Sequence, residues 1–201
     1  MAKSPADVTA AAEREALSNE DLTGAIEAAR AGAEWAWVLI YDELAPTVLG
    51  YLRGQGASEP EDVTGEVFLQ AVRDLPRFHG SWSDFRSWVF TIAHHRFLDE
   101  RRRTGRRPVA PAPDEVLTER LPTVDTETDA LRSLSDEHVR GLIEALVPAQ
   151  REVLLLRILG GMTIEEIAAA VGKRQGAVKA LQRRGIAALR KAMAAEGGVS
   201  L

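Results

Sequence analysis

The sequence predicts an all-α protein: two small helical domains joined by a flexible acidic linker, the C-terminal one a helix-turn-helix. Three observations predict it. Ala, Leu, Glu and Arg are frequent, and no stretch alternates cleanly enough to read as a strand. Apolar residues recur at three- and four-residue spacing on both sides of the chain's middle, so each side has helices with a face to bury. Between them, residues 109–135 are Pro, Thr, Asp and Glu with few large apolar side chains, a composition that resists packing.

Residues 1–21 carry Ala, Ser and Glu without a sustained apolar stripe and are expected to form a flexible tail or a fraying first helix. A first domain is expected over 22–108. Ile26, Ala29 and Ala33 lead into Trp35, Val38, Leu39 and Tyr41, a helix pair broken near Gly32. Pro46 is expected to interrupt or restart the helix that carries Val48, Leu49 and Leu52. Gly54, Gly56 and Pro60 mark a turn. The segment EPEDVTGEVFLQAVRDL opens on acids, as helix N-termini favour, and continues with Val63, Val67 and Ala71. The stretch PRFHGSWSD reads as a loop. Phe85, Trp88, Val89, Ile92 and Ala93 then form the stripe of a long helix ending in DERRRTGRR.

The second domain is expected over 136–195, with a short tail at 196–201. Its first helix runs from Asp136 to Leu146, and Pro148 opens the next as a first-turn proline. In TIEEIAAAVGK, Ile164, Ile167, Ala168 and Val171 share one face, and Gly172 stands where a helix stops. Beyond the turn, Val178, Leu181, Gly185, Ala188 and Leu189 fall on one side of a wheel and Lys179, Arg183, Arg184, Arg190 and Lys191 on the other. Two helices around a tight turn describe a helix-turn-helix whose second helix enters a major groove.

Charge is segregated. The formal net charge is −5, yet six arginines lie between Arg96 and Arg107 and seven Lys or Arg between Lys173 and Lys191, together 13 of the 25 basic residues. Two cationic patches flanking an acidic spacer suit two contacts on one anionic ligand, because local field steers association more than net charge does. The absence of cysteine excludes disulfides, thiolate zinc sites and a cysteine nucleophile. No apolar run is long enough to span a bilayer and the N-terminus lacks a signal-peptide core, so a cytoplasmic protein is expected.

Four blocks in order, EDVTGEVFLQAV, FRSWVFTIAHHRFLDERRR, LVPAQREVLLLRILGGMTIEEIAAAVGK and GAVKALQRRGIAALRK, resemble the sigma-70 family of initiation factors, in its two-domain extracytoplasmic-function form. The resemblance implies that the chain binds core RNA polymerase, directs it to promoters and helps melt the minus-ten element, with an anti-sigma factor as a further possible partner. It places core polymerase contact on Asp62, Glu66 and Phe68. It lines a pocket for an extruded minus-ten base with Phe78, Ile92 and His95, and gives the non-template strand to Arg96, Arg101, Arg102 and Arg103. Extraction of a base needs a pocket the duplex cannot match, next to cations holding phosphates. His95 stands where asparagine is common, and an imidazole can both stack on a base and hydrogen-bond to it. Over the upstream, minus-thirty-five-type element the resemblance places Arg174, Gln175, Lys179, Ala180, Arg183 and Arg184. Arg184 is the first choice for bidentate guanine readout and Lys179 for phosphate.

The alternative is a stand-alone helix-turn-helix regulator, which leaves the Arg-rich helix end and FRSWVFTIAHHRFLD without a role. Catalysis is not expected. His95 and Asp99 share a helix face but lack a third metal ligand, and no GxxxxGK[ST], HExxH or GxSxG occurs. No cofactor or metal is implied.

Overall fold

The computed structural model of the chain describes residues 17–105 and 137–197, and the expected acidic linker lies outside the described residues. Eight α-helices are described, and none among the described residues is long and apolar enough to cross a membrane.

Helix α1, Asn19–Arg30, starts inside the segment expected to be tail. The reason is local: the Ser18 hydroxyl accepts from the Asp21 amide while the Asp21 carboxylate accepts from the Ser18 amide, so two orphan donors of the first turn are satisfied. Gly32, at φ 90°, makes the turn into α2, Glu34–Gln55. The expected break at Pro46 does not occur; α2 runs through it. Proline removes one helical hydrogen bond, but Ala45, Thr47 and Val48 around it are buried, and packing outweighs the loss. Left-handed Gly56 ends α2, and α3, Pro60–Asp74, follows with Pro60 in its first turn.

After a 3₁₀ turn at Leu75–Arg77, α4 spans Trp82–Arg103. It begins within the stretch expected to be loop, because Ser81 and Asp84 form a second capping box. Arg101, Arg102 and Arg103 occupy its last turn, where the helix dipole favours cations.

The second half comprises α5, Glu137–Glu144, α6, Pro148–Ile158, α7, Ile164–Val171, and α8, Gln175–Gly197. Thr163 and Glu166 cap α7 reciprocally, and left-handed Gly172 ends it. Gly185 lets α8 approach α6 closely: a Cβ there would lie 2.7 Å from Leu154 Cδ1.

The two halves share one hydrophobic core. Ile26, Ile40, Leu52, Val67, Phe85 and Val89 of the first half are continuous with Val153, Leu156, Met162, Ile167 and Val178 of the second. At the seam a Cβ on Gly54 of α2 would meet Leu155 Cδ1 at 2.9 Å, and one on Gly160 would meet the Phe90 ring at 3.2 Å. Arg86 Nη2 donates to the Leu159 carbonyl at 2.9 Å. Helix α4 is therefore covered on two sides, which accounts for Phe85, Val89, Phe90, Ile92, Ala93 and Phe97 all being buried on one helix.

Candidate nucleic-acid interface

Phe78, just before α4, is fixed at both ends. Arg30 donates to its carbonyl, and its ring stacks on Trp88 at 5.1 Å and meets Phe85 edge-on at 5.3 Å. Trp82 continues this aromatic group, stacked on Phe85 at 5.9 Å. Ile92 is buried, whereas His95, one turn further, is exposed. His95 stands at the rim of a cleft of about 300 Å³ whose α4 wall is Asp84, Ser87, Trp88 and Thr91 and whose other wall is Glu166, Ala169 and Ala170 of α7. Glu166 is pushed up by burial, but hydrogen bonds from the Thr163 amide, the Thr163 hydroxyl and Ser87 outweigh that and hold its carboxyl below the usual range.

The arginines beyond His95 have protein partners. Arg96 Nε donates to Gln70 Oε1 at 2.9 Å, and its Nη1 lies 3.5 Å from Glu66 Oε2. Arg103 reaches the other oxygen of Glu66 at 3.7 Å, and Arg102 pairs with Asp99 at 2.8 Å. The Arg101 guanidinium sits 5.5 Å over the Phe97 ring. Glu66, expected to contact polymerase, thus holds two of the arginines expected to contact DNA.

His94, adjacent to the exposed His95, is buried at the seam. Its Nδ1 is 3.2 Å from the Tyr51 hydroxyl and 3.6 Å from Glu152 Oε1 of α6. Burial, with a smaller contribution from His95, lowers its pKa to about 4, so the ring is neutral and the 3.6 Å approach is no ion pair near neutral pH. Burial raises the Glu152 carboxyl, against the attraction of Lys173 and Arg101. Burial, then Glu152, pushes the Tyr51 hydroxyl well up.

On α3, Asp62 is exposed and Glu66 half-buried. Phe68 points inward instead, buried against Tyr41 with ring centroids 4.7 Å apart, so it supports α3 rather than offering a free ring. Sequence reasoning missed the apolar surface beside it. Leu69 and Val72 of α3 and Trp35, Val38 and Tyr41 of α2 are exposed. The signal was present as a stripe at 35, 38 and 41.

At the start of α8, Arg174, Gln175 and Lys179 are exposed, and Arg183 and Arg184 are half-buried. Ala180 is buried, so its methyl group does not stand on the open surface with the cations around it.

Residues 40–107 match the family description "Sigma-70 region 2", and residues 137–189 match "Sigma-70, region 4". The chain is 33% identical over 188 residues to the ECF RNA polymerase sigma factor SigD of Mycobacterium tuberculosis, a match covering 90% of this chain and 88% of that protein. It is 33% identical over 166 residues to the ECF RNA polymerase sigma factor BldN of Streptomyces coelicolor, covering 82% of this chain and spanning 62% of the length of that relative. Among solved structures, CnrH in complex with the cytosolic domain of CnrY matches with a TM-score of 0.57 at 23% identity, over 85% of this chain and 96% of the other. That likeness concerns the fold.

Proposed function

The chain belongs to the extracytoplasmic-function group of the sigma-70 family, and from that premise we propose how its residues divide the work. As a sigma factor it binds core RNA polymerase, brings it to specific promoters and serves transcription initiation; the relatives are initiation factors rather than enzymes.

The first half takes core polymerase on the outer face of α3 through Asp62 and Glu66, with Phe68 holding the helix to α2 from inside. It opens the minus-ten element on α4. His95 meets the extruded base, Phe78 and Ile92 shape the ground beneath it, and Arg96, Arg101, Arg102 and Arg103 take the strand's phosphates. The second half reads the upstream element with α8: Arg184 and Arg183 face bases, while Arg174, Gln175 and Lys179 hold the backbone. The work is binding throughout, since unstacking a base requires a few kcal/mol that a fitted pocket and phosphate contacts supply. We place the protein in the cytoplasm with polymerase, and an anti-sigma factor is a fitting regulator.

The observation that carries this reading is the pair of family regions in register, each with its basic helix at the expected place. A binding experiment tests it. A cognate promoter duplex should be retained tightly by this chain only with core polymerase, and tight specific binding by the chain alone would favour a stand-alone regulator.

A further inference from the structure

We propose, resting on the function above, that α1 sets base choice at the minus-ten element without touching DNA. Thr23 and Arg30 are positioning residues: they pin the two ends of the loop at residues 78–81, beside which the extruded base is received.

Helix α1 lies outside residues 40–107, the part of this half that matches region 2, so that match assigns it no role. Two long-range hydrogen bonds nevertheless tie it to the two ends of one loop. Arg30 Nη2 donates to the Phe78 carbonyl, 48 residues on. The Trp82 amide, an orphan donor of the first turn of α4, donates to Thr23 Oγ1 at 3.0 Å. Each side chain is itself set by α1. The Thr23 hydroxyl donates to the Asn19 carbonyl at 2.7 Å, which commits its one hydrogen and leaves a lone pair for Trp82. Arg30 Nη1 donates to Glu27 Oε2 at 2.6 Å, which turns the other amino group towards Phe78. Thr23 and Arg30 stand about two turns apart on one face of the helix.

The loop between these pins is closely held. The Phe78 ring is stacked on Trp88 of α4 while its carbonyl is taken by α1, so this residue is fixed from two sides. At the other end the Ser81 amide donates to Asp84 Oδ2 at 2.8 Å. Gly80 passes so near that carboxylate that a Cβ there would lie 2.9 Å from Asp84 Cβ. His79 and Gly80 stand exposed at the tip.

Selectivity is the difference between the affinities for the right base and the wrong one. A loop free to shift can adapt to several bases. A loop pinned at both ends presents His79 and its backbone groups in one arrangement, and only a base that suits this arrangement gains the contacts without a further ordering cost. The strand's phosphates are held separately, by the arginines of α4, and those contacts carry no sequence information. Loss of a pin therefore lowers selectivity more than binding.

The test uses the full chain with core polymerase. Thr23→Val removes the acceptor at nearly constant shape, Thr23→Ser keeps it, and Arg30→Gln removes the guanidinium that joins Glu27 to Phe78. Start positions mapped with the wild-type chain on fragmented genomic DNA supply one promoter, whose minus-ten element is randomised and transcribed as a library by each variant. At one and the same minus-ten position the ratio of preferred to rejected base should fall about fivefold in Thr23→Val and about tenfold in Arg30→Gln. Thr23→Ser should match wild type, and preferences at the other minus-ten positions and in the upstream element should stay as they were. Preferences unchanged in either Thr23→Val or Arg30→Gln overturn the proposal. So does transcription that falls alike on every member of the library, the mark of a merely loosened fold. A wild-type chain that yields no defined starts removes the sigma-factor reading, and the proposal with it.

Discussion

His94 Nδ1 lies 3.6 Å from Glu152 Oε1, joining α4 of the first half to α6 of the second in a site where burial keeps the imidazole neutral. Tyr51 of α2 faces the ring, His95 and Arg101 share its helix, and Lys173 acts on Glu152 from beyond α7.

Acid should therefore weaken this fold. The folded His94 has a pKa of about 4 against an ordinary 6.5, so between those values the unfolded chain binds more protons and stability falls as pH drops. From pH 7 to 5 this loss is about 2 kcal/mol at most. Glu152, whose carboxyl is raised, acts oppositely: it favours the folded state in acid and loses that contribution as pH rises through its folded pKa. His94→Gln should flatten the acid slope, measured as denaturant midpoints between pH 7 and 5. Parallel profiles for wild type and variant would show that His94 does not set the slope.

Glu66 ties Arg96 and Arg103 to α3 at 3.5 and 3.7 Å, but all three are partly exposed, so these pairs are worth about 1 kcal/mol or less. Glu66→Ala should leave stability almost unchanged while weakening core polymerase binding about tenfold, read by titration with labelled core enzyme. Unchanged affinity would take Glu66 out of the polymerase contact.

His95→Ala should slow strand opening and preserve upstream-element binding. The readout is permanganate reactivity of thymines in the bubble, expected to fall severalfold. Equal reactivity would leave His95 as an exposed residue with no part in melting.

Arg184→Ala and Lys179→Ala should differ in kind. Loss of a bidentate arginine removes ~1 to 3 kcal/mol of discrimination at one base pair. Loss of a phosphate contact weakens binding to all sequences and lowers the salt slope by about one. Holoenzyme binding to a panel of upstream-element variants at several salt concentrations separates them. The assignment of Arg184 fails if its variant keeps full selectivity.

Much of this architecture is legible locally. Pro148 opens α6 as its position foretells, Gly172 ends α7, and Val178 is buried on the face assigned to it. The misses have physical causes. Pro46 was overridden by burial of its neighbours, a tertiary effect that local propensity does not register. The helix start at Trp82 was written in Ser81 and Asp84, but an aromatic-rich run masked the capping pattern. The resemblance gives Phe68 to polymerase and turns Ala180 towards DNA, whereas both are buried, Phe68 against Tyr41; burial of a single side chain is a tertiary outcome that a motif match does not register. The seam was the least legible feature. Arg86 and the Leu159 carbonyl it binds are 73 residues apart, and the apolar residues around α4 reveal surplus burial without naming what covers it.

The most direct measurement is the sequencing of RNA 5′ ends made by purified core polymerase on genomic DNA, with and without this chain. The account predicts a set of defined start positions, preceded by two shared sequence elements, that appears only when the chain is present. Start positions identical to those of core polymerase alone would contradict it.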